Sequence, residues 1–186
     1  MEVKEFGGMM QVDPYILRRA GFLLAEAVQP DATKDQTITI ALRVISNYVT
    51  VGKDLGSRDV KLRNPRMSVT AFERLHELMK NMSGAEAFKQ WHVETTNEHP
   101  EPIRGIWEWI MENAKKLTVQ DVVDRMLENA MVTITNAENS RLRAHGLVSR
   151  GVSSERYQLA GIIIAANSKA PREIIAVNRS QLRYDM

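Results

Sequence analysis

Apolar residues recur along most of this chain at the three-to-four-residue spacing of helices that bury one face. Ile16, Leu17, Ala20, Leu23, Leu24, Ala27 and Val28 form one such stripe. Asp13-Pro14 supplies an N-cap and a proline at the first helical position, and Pro30 stops the run. Residues 36–51 satisfy two patterns: Ile38, Ile40, Leu42 and Val44 alternate as in a strand, whereas Ile38, Ala41, Leu42, Ile45, Tyr48 and Val49 fit a helix. The length of the segment, with no turn signal inside it, favours the helix. Residues 52–66 are rich in glycine and charge and end at Asn64-Pro65, which predicts a loop. Ser68 caps a further helix with Val69, Phe72, Leu75 and Met79 on one face, closed by Met82-Ser83-Gly84, and a short helix with Phe88 and Trp91 follows.

The second half begins with a Pro-rich connector at 95–102, for which no regular structure is predicted. Ile103, Ile106, Trp107, Ile110 and Met111 then mark a strongly apolar helix face. Thr118-x-x-Asp121 is a capping box with aspartate in place of glutamate, opening a helix that turns Val122, Val123, Met126, Leu127 and Ala130 inward. Residues 136–152 are polar, basic and punctuated by Gly146 and Gly151, so a long loop or broken helix is predicted. Ser153 opens a helix that runs to Ala166, and Pro171 opens a last one with Ile174, Ile175 and Val177. Helical period thus appears in six or seven segments and strand alternation at most once. The expected class is all-α, with a single helical-bundle core at 13–167, a flexible N-terminal arm at 1–12 and a C-terminal helix or arm at 168–186.

Composition narrows this picture. At 186 residues, one ordinary domain is expected. The chain has no cysteine, which excludes disulfides, thiolate metal sites and cysteine nucleophiles. Its longest apolar run, Leu159 to Ala166, is far short of the ~20 residues of a membrane-spanning helix, so no membrane partner is expected. The opening Met1-Glu2-Val3-Lys4-Glu5 is unlike the basic-then-apolar start of a secretory signal. The ten methionines suit irregular gaps in a helical core.

Charge is placed unevenly. Eight Lys/Arg face four acids between Ile134 and Met186, a net of +4, which leaves −2 for the preceding 133 residues given the overall +2. A polyanion partner would therefore meet the C-terminal third.

Conventional catalytic patterns are weak. The four histidines (His76, His92, His99, His145) stand in four segments without metal-ligand spacing, so neither a metal nor a cofactor is expected. His76 lies beside Arg74 and Glu77 on the solvated side of its helix. Gly52-Lys53-Asp54-Leu55-Gly56-Ser57 has glycines and a lysine but not the order of a phosphate loop, and reads as a turn. Ser149, Ser153 and Ser154 lack the glycine elbow of a hydrolase nucleophile. The expectation is a non-enzymatic protein. Trp107 is a core residue by spacing, whereas Trp109, two positions on, faces elsewhere and is available to a partner subunit.

Residues 141–157 combine Arg141, Arg143, Arg150 and Arg156 with small residues, serines and Tyr157. Arginine forks bind phosphate bidentately, glycine admits a close backbone, serine hydroxyls donate to phosphate oxygens, and tyrosine stacks on bases. The alternative is a solvated, charge-rich loop. Arg172, at the start of the last helix, extends the candidate set.

Order and spacing over 112–182 resemble the coat proteins of potyvirus-type flexible filamentous plant viruses. Glu112-Asn113-Ala114-Lys115-Lys116-Leu117-Thr118 stands where that family has a similar segment before a long helix. Gly146-Leu147-Val148-Ser149-Arg150 and Ser153-Ser154-Glu155-Arg156-Tyr157 are similar to its arginine loop and the opening of its aromatic helix, and Ser168-Lys169-Ala170-Pro171-Arg172-Glu173 is similar to its turn into a final helix. Ala160 and Gln120 replace an aspartate and an arginine of the family's RNA pocket, so the resemblance carries over only Ser153, Arg156 and Arg150.

The resemblance implies a helical core, terminal arms that clasp neighbouring subunits, and single-stranded RNA running through a helical filament. The corresponding location is the virion, with assembly in the host cytoplasm. A helical DNA-binding or regulatory protein of phage origin, using the same arginines on a duplex, is the second reading.

Overall fold

The computed structural model describes residues 12–147, 153–166 and 169–176. It is mostly helical, 65% helix against 7% strand, with one small sheet inserted among the helices. The buried apolar side chains group into three clusters rather than one.

The first cluster is built by α1 (Pro14–Ala27), α2 (Gln36–Val51), α6 (Ile103–Asn113) and α7 (Val119–Glu128), around Leu23, Leu42, Ile45, Trp107, Ile110 and Met126. Caps set the ends of these helices. Asp13 accepts the Tyr15 backbone N–H at 2.8 Å and Asp35 accepts that of Ile38 at 2.8 Å, each satisfying a donor left free in a first turn. Thr118 and Asp121 form the expected capping box. In α2 the helical spacing wins over the strand-like alternation: Ile38, Ala41, Leu42 and Ile45 are buried, while Ile40, which a strand would turn inward with Ile38 and Leu42, is 39% exposed. Gly52, at φ 75°, ends that helix in the left-handed conformation glycine tolerates.

The second cluster joins α4 (Val69–Asn81) and α5 (Gly84–Glu94) around Leu75, Phe88 and Trp91, with Ile174 from a helical turn at 171–176. The Trp91 indole N–H donates to the Ala71 carbonyl at 2.7 Å and locks the two helices together. The third cluster joins a strand to α8 (Asn136–Ala144) and α9 (Ser153–Leu159) through Val132, Ile134, Leu142, Tyr157 and Ile162.

Four segments depart from the sequence expectations. Within 52–66 lies α3 (Ser57–Arg63), which buries Val60 and Lys61 despite its charged composition. The connector at 95–102 begins with β1 (Thr95–Glu98), antiparallel to β2 (Val132–Thr135) in the register Thr95↔Thr135 to Glu98↔Val132. All four β2 residues are buried, so no period-two alternation marks the strand. Residues 136–152, expected to be the least core-like part, open with α8, whose Leu142 and Glu138 are fully buried. The helix expected over 153–166 stops at Leu159. The chain turns at Gly161, φ 61°, and becomes extended.

That extended stretch completes a platform between clusters. Met67 bridges Thr133 in parallel and Ser68 bridges Ile164 in antiparallel fashion. The Ser68 N–H donates to the Thr133 carbonyl at 2.9 Å, and the Val69 N–H to the Ile163 carbonyl at 2.8 Å. Glu138 latches α8 onto this platform. Its Oε2 accepts the Thr135 N–H at 2.8 Å, the Thr135 hydroxyl at 3.0 Å and the Ser68 hydroxyl at 2.7 Å.

Replacing Glu138 leaves three buried donors without an acceptor and removes a cap. Glu138→Ala is expected to lower the free energy of unfolding by about 3 kcal/mol, read from urea denaturation. A loss below about 0.5 kcal/mol, the level of an ordinary surface substitution, contradicts this role.

Candidate nucleic-acid interface

The basic stretch singled out in the sequence divides into buried and exposed parts. Arg156, on α9, has no solvent exposure at all. Its Nε donates to the Leu147 carbonyl at 2.6 Å, its Nη1 to the carbonyls of His99 at 2.9 Å and Pro100 at 2.6 Å, and its Nη2 to Glu98 Oε1 at 2.8 Å. A guanidinium has five N–H donors in a fixed fork, and this geometry uses four of them internally. Tyr157 is 7% exposed, and its hydroxyl donates to the other Glu98 oxygen at 3.0 Å.

Arg156 and Tyr157 therefore correct the sequence expectation. In this conformation neither offers a free fork or an open ring to a nucleic acid. Their work is internal: a guanidinium and a phenol neutralise and orient one buried carboxylate. Burial pushes the Glu98 carboxyl above its ordinary range against the pull of Arg156 and Tyr157. Burial, then the Glu98 charge, raises the Tyr157 hydroxyl and keeps it protonated as a donor.

Sequence reasoning missed three members of this cluster: Glu98, His99 and Ser46. Glu98 and His99 stood in an apparent connector, and Ser46 on a helix face with nothing to mark it as polar core. The Ser46 hydroxyl lies 2.5 Å from His99 Nε2. Burial, followed by the nearby positive charges of Arg156 and Lys34, pushes His99 down to about 4, so the ring is neutral at physiological pH.

The exposed arginines sit elsewhere. Arg141 and Arg143 are exposed on the last turn of α8. Arg141 Nε donates to the Ala160 carbonyl at 2.7 Å, which holds the stem while its terminal nitrogens stay uncommitted among the described residues. The Arg143 side chain has no hydrogen bond or ion pair among them. The single carboxylate of α8, Glu138, is buried and used by the cap, so the outer face of this helix carries positive charge without an acidic neighbour of its own. Arg172 is exposed on a different segment, with its Nη2 3.9 Å from Glu173, so its charge is partly met. Arg150 and the side chain of Ser153 lie outside the described residues.

The remaining candidates lie on other elements of the fold. Trp107 is buried as expected. Trp109, expected at a subunit contact, is half-buried beneath the Arg125 guanidinium at 5.6 Å, and Arg125 is itself held by Glu101 at 2.7 Å. His76 is exposed and stacks near Phe72. Among the described residues no group of three His, Asp or Glu side chains is placed to hold a metal, and no helix is long and apolar enough to cross a membrane.

Comparison with protein-family models, curated proteins and solved structures finds no match for this chain.

Two outcomes test the buried cluster. Arg156→Ala strands Glu98 and three carbonyls, and is expected to cost about 3–5 kcal/mol of stability by urea denaturation. Arg156→Lys is expected to recover less than half, because one ammonium cannot reach acceptors spread around a planar fork; full recovery contradicts the geometry. His99, whose folded value lies below its unfolded one, contributes stability that is present above pH 6.5 and lost as the pH falls toward 4. The difference in urea midpoint between the native chain and His99→Asn is therefore expected to shrink between pH 7.5 and pH 4.5, and a difference that does not change with pH contradicts a neutral buried ring.

Proposed function

We propose that this chain is a structural, non-enzymatic protein that binds single-stranded RNA through phosphate contacts, with little base readout. It assembles with copies of itself into a helical filament as a viral coat or nucleocapsid protein. In this reading the helical bundle is the packing unit, the arm at 1–12 and the part of 168–186 that follows the turn at 171–176 join neighbouring subunits, and the protein resides in the virion after assembly in the host cytoplasm.

The observation that carries the polyanion part is the outer face of α8. Arg141 and Arg143 are exposed there, the fold leaves most of their donors unused, and the helix has no exposed carboxylate to neutralise them. Phosphate oxygens are the acceptors such forks fit. The filament part is supported by the resemblance over 112–182. The burial of Arg156 removes one of the positions carried over from it as an RNA contact. A second reading, duplex DNA binding by a helical regulatory protein, draws support from the same observation, because a basic helix face is the shape that enters a major groove.

Filter binding with single-stranded RNA across a salt series tests the interface. The slope of log affinity against log salt is expected to fall in magnitude by about 1.4 in the Arg141→Ala/Arg143→Ala double variant, at roughly 0.7 per single-strand phosphate contact. An unchanged slope contradicts the assignment, and preference for duplex DNA selects the second reading. Electron micrographs of protein with RNA are expected to show filaments; isolated monomers at every salt and RNA concentration contradict the assembly.

A further inference from the structure

A cleft of about 440 Å³ opens between α2, the turn at 52–56 and β1. This is the size range of small-molecule sites. Its walls combine Arg43 and Asn47 from one face of α2, Asp54 and Leu55 from the turn, Asn97 from β1, and Met131. None of these belongs to the α8 surface, and the turn is the glycine-lysine motif that otherwise serves only to end α2.

Hydrogen-bond bookkeeping fixes what the polar groups offer. The Arg66 backbone N–H donates to Asn64 Oδ1 at 2.9 Å, so Asn64 Nδ2 is the group that donates to Thr133 Oγ1 at 3.2 Å. The Thr133 hydroxyl in turn donates to Asn97 Oδ1, at 2.9 Å. That leaves the Asn97 amide N–H₂ with no acceptor among the described residues, a donor oriented by a relay of three side chains. From α2, Asn47 Nδ2 donates to Asp54 Oδ1 at 2.9 Å and to the Leu55 carbonyl at 3.0 Å, leaving Asn47 Oδ1 and the second Asp54 oxygen as acceptors. Arg43 is exposed, and its side chain makes no hydrogen bond or ion pair among the described residues.

An exposed guanidinium, one oriented amide donor group, a carboxylate acceptor and two apolar side chains in one cleft describe a ligand with an anionic group, hydroxyls and a flat ring. We propose that this cleft binds a nucleoside monophosphate unit, either free or as one residue of a strand. Arg43 meets the phosphate and Asp54 accepts from the ribose hydroxyls, as carboxylates do in nucleotide sites. Leu55 and Met131 lie against the base, and Asn97 donates to an acceptor on the base edge. The site is independent of the α8 arginines.

Calorimetric titration of the full chain with the four ribonucleoside 5′-monophosphates tests it. At least one is expected to bind with Kd below about 1 mM, and the corresponding nucleoside, lacking the phosphate that Arg43 meets, about tenfold more weakly. Arg43→Gln, an exposed position, is expected to weaken binding about tenfold, the loss of one charge-assisted contact. Asn97→Asp, which replaces the donor by an acceptor, is expected to do the same. No heat from any of the four at millimolar concentration overturns the proposal, as does binding indifferent to Arg43→Gln. Displacement of the bound monophosphate by a short oligoribonucleotide assigns the unit to a strand, and its absence to a free nucleotide; either outcome supports the site. Because Arg141→Ala/Arg143→Ala leaves the cleft intact, failure of polyanion binding there and failure of this site are read separately.

Discussion

A guanidinium removed entirely from water must find acceptors for nearly all its donors, and that constraint organises the C-terminal half of this protein. Arg156 meets it with the carbonyls of Leu147, His99 and Pro100 and the carboxylate of Glu98. An unpaired charge at this depth would cost several kcal/mol, so these contacts are kept or lost together. They tie α9 to the end of β1 and to the chain leaving α8. Because β1 pairs with β2, and β2 with the extended residues at 67–68, one side chain links the third apolar cluster to the platform on which the second rests.

The neutral His99 ring extends this linkage into the first cluster through Ser46 on α2. The three clusters are thus joined by polar contacts as well as by apolar packing. Buried polar groups specify a particular arrangement through the partners they find, and the Glu98–Arg156–Tyr157 group and the Oε2 of Glu138 at the start of α8 supply two such points. The first consumes, in Arg156 and Tyr157, chemistry that the sequence alone presents as available for binding.

Local signals account for what was legible in the sequence. Asp13-Pro14, Ser68 and the Thr118/Asp121 box act within one helical turn, so their helices stood where caps and spacing put them. Thr135 and Glu138 form a capping box of the same kind, a signal for α8 that the polar composition of 136–152 obscured. β2 was not legible because burial on both faces removes the alternation that marks a strand. The roles of the arginines were hidden for a different reason. Arg141, Arg143 and Arg156 look alike over the sixteen residues 141–156, and only the tertiary fold brings Glu98, 58 residues away, to one of them.

One basic stretch thus holds an arginine spent on the fold and two exposed ones that the proposed function assigns to a polyanion. Labelling the native protein with an arginine-selective dicarbonyl, with and without single-stranded RNA, and reading each site by mass spectrometry tests that division most directly. The account predicts that Arg156 stays unmodified until the protein is unfolded, while Arg141 and Arg143 react and are shielded by RNA. Modification of native Arg156 as fast as Arg143, or RNA that shields neither α8 arginine, would contradict it.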